Sequence, residues 1–167
     1  MIDPSLLVAI VLIPAAGAIL IPLVARFGCN VREAVTLITA AALVAAVWPL
    51  LPAVVDGARP AVTLGEIVPG IAIALHLEPL GMLFAALASG LWFVNSIYSI
   101  GYLRANGETH QTRFYTCFAI ALAATMGIAL AANLFTLFLC YELLTLSTFP
   151  LVAHKGDEHT LRSAQVY

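Results

Sequence analysis

Three stretches of this 167-residue chain, Pro4–Ala25, Ala34–Val55 and Pro79–Leu103, contain no Asp, Glu, Lys or Arg. A fourth, Phe114–His154, is interrupted only by Glu142. A helix rises about 1.5 Å per residue and a bilayer core is about 30 Å thick, so each of the first three runs can cross a membrane. The fourth is long enough for two crossings, with the break best placed at Ala131-Ala132-Asn133. Composition agrees: 62% of the residues are hydrophobic and 10% charged, against roughly 25% charged in an ordinary soluble domain. Seven basic and nine acidic side chains could not cover the surface of a soluble domain of this length. The expected fold is therefore all-α and integral to the membrane, in a single membrane domain. It has five transmembrane helices near residues 4–25, 34–55, 79–103, 114–132 and 134–153. A cleaved signal peptide is a poor reading of the first span, because its first charge is Asp3 and its apolar run is too long.

Loop charges set an expected orientation. Arg26 and Arg32, Arg104 and Arg113, and Lys155 and Arg162 all fall on one side if the helices alternate, leaving Arg59 on the other. The positive-inside rule then places the N-terminus outside and the residues from Lys155 onward in the cytoplasm. The one long loop, Asp56–Glu78, should lie outside. Large residues at every second position in Ile71–Leu77, after the turn signal Pro69-Gly70, predict a short hairpin of Thr63–Ile67 with Ile71–Leu77. Thr160–Tyr167 reads as the approach to a sixth helix, beginning near residue 161, and suggests a fragment or a split subunit.

Small residues recur every four positions: Gly81, Ala85 and Ser89 in the third span, and Ala119, Ala123, Gly127 and Ala131 in the fourth. Such ladders let helix backbones approach closely in lipid. Generic alanine richness would produce a similar pattern.

The chemistry concentrates in the fifth span. A carboxylate near mid-bilayer costs about 2.5–3.5 kcal/mol on insertion scales, so Glu142 must be protonated or must face a hydrated cavity with a cationic partner. Either state suits a group that loads and releases a proton. Thr145, Ser147 and Thr148 add hydroxyls nearby, and Pro150 cannot donate to the Leu146 carbonyl. Together they suggest a wet pocket. The competing reading is that Glu142 only pins helices through a buried hydrogen bond. Asn95, Ser96 and Ser99 in the third span are explained equally well by interhelical hydrogen bonding. Cys29, Cys117 and Cys140 show no metal or redox spacing, and no structural disulfide is expected among them. His154 and His159 flank a charged loop better read as solvated than as a metal site. No cofactor, metal or nucleic-acid partner is expected, and there is no nucleophile elbow, phosphate loop or thiolate cluster. A transporter fits these residues better than a soluble-type enzyme.

Tyr98–Arg104, Arg113-Phe114-Tyr115, and Asn133–Phe138 running into Tyr141-Glu142-Leu143-Leu144 resemble the antiporter-like subunits of complex I, Mrp-type Na+/H+ antiporters and membrane-bound hydrogenases. The likeness is most specific over Trp92–Lys155 and strongest to the Mrp D-type subunit. It implies the first part of a fourteen-helix, inverted-repeat fold in the bacterial cytoplasmic membrane. It also implies other membrane subunits as partners, with protons and Na+ or K+ as cargo. Glu142 then matches the family's fifth-helix proton-channel glutamate, which pairs with a lysine on a later helix. The only lysine here, Lys155, sits at the end of the fifth span, so that partner is missing from this chain. The alternatives are a proton-pumping subunit of NADH-quinone oxidoreductase or a membrane-bound hydrogenase, or a non-transporting scaffold piece.

Overall fold

The computed structural model describes residues 3–152. Helix α1 spans Ser5–Val24, followed by a 3-10 turn at Ala25–Phe27. Then come α2 (Cys29–Val47), α3 (Leu50–Val55), strands β1 (Ala61–Val68) and β2 (Ile71–His76), α4 (Pro79–Ala105), α5 (Gln111–Ala129) and α6 (Leu134–Val152). Taking α2 and α3 as one span across Cys29–Val55, five helices among the described residues are long and apolar enough to cross a membrane. The expected sixth helix near residue 161, Lys155, Arg162, His154, His159 and the last residue of the predicted fifth span, Ala153, lie outside the described residues.

Local chemistry explains where these elements start and stop. The Asp3 carboxylate accepts a hydrogen bond from the Ser5 amide at 2.9 Å, satisfying one of the free N–H groups that open α1. Gly28 takes φ 116°, a conformation that side chains disfavour, and turns the chain so that α2 opens at Cys29. That start lies five residues before the expected Ala34. The difference arises because Arg32, read from sequence as a loop charge, is paired with Glu33 inside the helix. Pro49 then separates α2 from the short α3. Arg59 closes the far end of α3 by donating to the Val54 carbonyl at 2.8 Å. Pro79 occupies the start of α4, where its missing N–H has no cost.

Helix α5 occupies Gln111–Ala129 rather than 114–132. Its last predicted turn is lost because the backbone leaves the helix to pair with β2. The Leu130 carbonyl accepts from the His76 amide at 2.7 Å, and the Ala132 amide donates to Ala74 at 3.0 Å. The two strands form an antiparallel hairpin, with Ala61 opposite His76 and Val62 opposite Leu75.

Four helices close into a ring in which α1 packs on α2, α2 on α4, α4 on α5 and α5 back on α1. Leu7, Ile10, Ile21, Leu43, Val47 and Met126 fill its centre. Helix α6 lies outside the ring, against α5, with β2 at its start. The ladders from sequence sit at close approaches. A Cβ added to Gly81 would collide with the Ala129 carbonyl, and one added to Gly127 would meet Cys140 Sγ. Ala85, Ser89 and Ala119 are fully buried. Large apolar side chains such as Leu12, Ile19, Ile38, Leu91 and Leu146 point outward, which suits a lipid surround and would be a liability in water.

Candidate functional site

Glu142 is the ninth residue of α6 and is exposed on it. The helix rotates about 100° per residue, so residues two apart lie on nearly opposite faces. Cys140 faces α5, where it meets Gly127, and Ser147 and Thr136 are the buried residues of this helix. Glu142 therefore points away from α5 and the ring. Among the described residues it has no hydrogen-bond or ionic partner.

The hydroxyls near it are occupied by their own helix. Thr145 donates to the Tyr141 carbonyl at 3.1 Å, Ser147 to Leu144 at 2.8 Å and Thr148 to Thr145 at 2.9 Å. The expected hydroxyl-lined pocket around Glu142 is thus not enclosed by the described residues. The reason is back-bonding: in an apolar surround, Ser and Thr satisfy themselves on the preceding turn. Pro150 lies within the last turn of α6, where it withholds an N–H from Leu146. Ser96 and Ser99 are buried on α4, while Asn95 and Tyr98 line an apolar groove between α4 and α5.

The α5–α6 corner is held by side chains as well as backbone. Asn133 Oδ1 accepts from the Thr136 amide at 2.8 Å, capping the start of α6. Its Nδ2 donates to the Ala72 carbonyl at 2.9 Å, and the Ala74 amide donates to Thr136 Oγ1 at 3.0 Å.

A second polar site was missed from sequence. At the end of the ring opposite the hairpin, the Glu33 carboxylate is held by three guanidinium contacts. Arg104 donates to it through Nε at 3.1 Å and through Nη2, and Arg32 Nη2 lies 3.3 Å away. Arg32 also donates to Gln111 Oε1 at 2.6 Å and Thr112 Oγ1 at 3.2 Å, and its guanidinium stands over the Tyr115 ring. Arg32 and Glu33 are almost fully buried. A bidentate guanidinium–carboxylate pair with further donors is the arrangement that compensates buried charge. One signal for it existed in the sequence. Glu33, Thr36, Ala40, Leu43 and Val47 follow helical spacing and form one buried stripe, so the period of α2 could have been extended backward through its charges.

No family model matches the chain. Among curated proteins it is similar to Na+/H+ antiporter subunit A1 of Staphylococcus aureus strain bovine RF122 / ET3-1, at 34% identity over 98 residues. The same subunit of strain Newman is 33% identical over 98 residues. Each alignment covers 59% of this chain and 12% of the relative, so the matched region is a small part of those longer proteins. Among solved structures, a chain of the archaeal membrane-bound sulfane sulfur reductase matches 99% of this chain with a TM-score of 0.85 at 16% identity. A chain of the Mrp complex from Dietzia sp. DQ12-45-1b matches 98% with a TM-score of 0.72 at 19% identity. This chain covers 33% and 31% of those two chains, respectively. It is a multi-pass membrane protein, homologous over more than half its length to subunit A1 of Na+/H+ antiporters, with a fold that recurs in part of a chain of the Mrp complex and of the sulfane sulfur reductase.

Proposed function

We propose that this chain is part of a proton-translocating subunit of a multisubunit monovalent cation/proton antiporter in the bacterial cytoplasmic membrane, and that Glu142 is its proton-loading group. The observation that carries this reading is a lone carboxylate mid-span on an apolar helix, aimed away from the bundle that supports it. Leaving it ionised in hydrocarbon is costly, so that face of α6 calls for a cationic partner or a bound proton. Exchange between those two states is the elementary step of a proton relay. When a cation approaches, the carboxylate is favoured and the proton departs; when it retreats, the neutral acid is favoured. The resemblance supplies a lysine on a later helix as that cation. Partners are then the other membrane subunits, and the cargo is protons and Na+ or K+.

Charge placement supports an outside N-terminus. Arg26, Arg32, Arg104 and Arg113 lie at one end of the ring and Arg59 at the hairpin end. The resemblance favours a D-type subunit, whereas the matching relatives carry the name subunit A1. Neighbouring genes discriminate between these. They also discriminate an antiporter from a subunit of NADH-quinone oxidoreductase or a membrane-bound hydrogenase, where iron–sulfur or nickel–iron subunits would be encoded alongside. The fold does not separate these alternatives, because it occurs in both an Mrp and a respiratory complex.

Complementation tests the proton role. In a strain lacking the native subunit, the wild-type gene should restore growth at high Na+ or K+, and Glu142→Gln should not. Equal rescue by both would favour a scaffold without transport.

A further inference from the structure

Helix α6 has two main supports among the described residues. One is α5, along its length, and the other is the hairpin, at its start. The hairpin support is unusually complete. Backbone pairing of His76 with Leu130 and of Ala132 with Ala74 extends the two-stranded sheet into the α5–α6 corner. The Ala74 amide donates to Thr136 Oγ1, a side chain that is fully buried, and Asn133 bridges the Ala72 carbonyl and the Thr136 amide. Leu75, Leu77 and Leu130 are buried beside this corner, while Asn133 at its edge stays exposed. The Thr136 side chain is itself buried, so the hydrogen bond it accepts is directional and costly to lose.

Glu142 lies six residues beyond Thr136, within two turns of this clamp. The hairpin's hydrogen bonds to Thr136 and Asn133 tie the start of α6 to one side, which links the rotation of the helix about its axis to the hairpin. Rotation decides where Glu142 points; sliding along α5, a ladder of small residues, would not. We infer that Thr136 and Asn133 are positioning residues, through which the hairpin holds the rotation of α6 and so aims the Glu142 carboxylate at its proton-exchange partner. This rests on the reading of Glu142 as the proton site.

The test uses the chain in its native membrane assembly, with cation-driven proton flux followed across a range of pH. Thr136→Val keeps the shape and removes the acceptor; Thr136→Ser keeps the acceptor. Ala74→Pro removes the donor from the hairpin side without touching α6. Thr136→Val and Ala74→Pro should each lower flux about tenfold at normal membrane levels and displace the pH profile, while Thr136→Ser retains both. Wild-type flux and profile in Thr136→Val would overturn the inference. So would equal loss in Thr136→Ser and Thr136→Val, since the hydrogen bond would then not be the agent. If both Thr136→Val and Ala74→Pro fail to accumulate in the membrane, the clamp is only structural and the inference is likewise lost. Glu142→Gln in the same assay separates the two readings. Unchanged flux there removes the proton role and this inference together, whereas an inactive Glu142→Gln beside a fully active Thr136→Val removes this inference alone.

Discussion

Glu33 and Glu142 are both carboxylates on helices of the same membrane domain, yet their surroundings differ sharply. Glu33 is buried and receives Arg104 and Arg32, whereas Glu142 is exposed with no partner among the described residues. The first arrangement holds helices together, and the second leaves the carboxylate that we propose as the proton-loading group without a partner among the described residues. Removing one member of a buried charge cluster leaves the others poorly compensated, so Glu33→Ala should destabilise the chain by about 3 kcal/mol. Arg104 is half-exposed, and Arg104→Ala should cost less than Glu33→Ala, because water replaces part of the contact. The double variant should lose less than the two single losses added together, since each single change already forfeits the shared pair. Denaturation of the purified chain in detergent reads all three. Additive losses would show that the pair does not couple α2 to α4.

Among the five spans, α6 is the least buried, packing mainly on α5 and the hairpin while presenting most of its surface outward. Its seat on α5 depends on Gly127, where Cys140 Sγ occupies the space a Cβ would need. Gly127→Val should push α6 off α5 at a cost of about 1–3 kcal/mol and expose Cys140. Faster maleimide labelling of Cys140, measured with Cys29 and Cys117 replaced, checks this; an unchanged rate would mean that α6 does not close on α5 at this point. The hairpin and the small-residue ladders were legible in the sequence because both are periodic: alternate large residues after Pro69-Gly70, and small residues every fourth position. The pairing of residues 130–132 with β2 was not legible, because Ala131-Ala132 continues a helical pattern and only a long-range backbone partner ends it. The same limit hid the Arg32–Glu33–Arg104 cluster. Charges beside an apolar run look like a loop until a neighbouring helix supplies their counterions.

At the scale of the whole molecule, four helices form a closed ring, and the helix carrying the transport candidate is appended to its outside. This division sets the supporting ring apart from the carboxylate that we propose as the proton-loading group. The position of Glu142 in the fifth span was legible from hydropathy alone, but its outward direction was not, since that follows from which face of α6 meets α5. The ring also orders the ends of the chain. Cys29 is exposed at the end bearing Arg26, Arg32 and Arg104. A membrane-impermeant maleimide should therefore label Cys29 in everted vesicles and not in intact cells, while Ala58→Cys at the hairpin end should behave oppositely. Labelling of Cys29 from outside would reverse the proposed orientation. The decisive measurement is proton movement in everted membrane vesicles containing the complete assembly, triggered by adding Na+ or K+. Wild-type vesicles should respond, Glu142→Asp should retain part of the response and Glu142→Gln should abolish it at equal protein level. A full response from Glu142→Gln would contradict the assignment of this carboxylate as the proton-loading group.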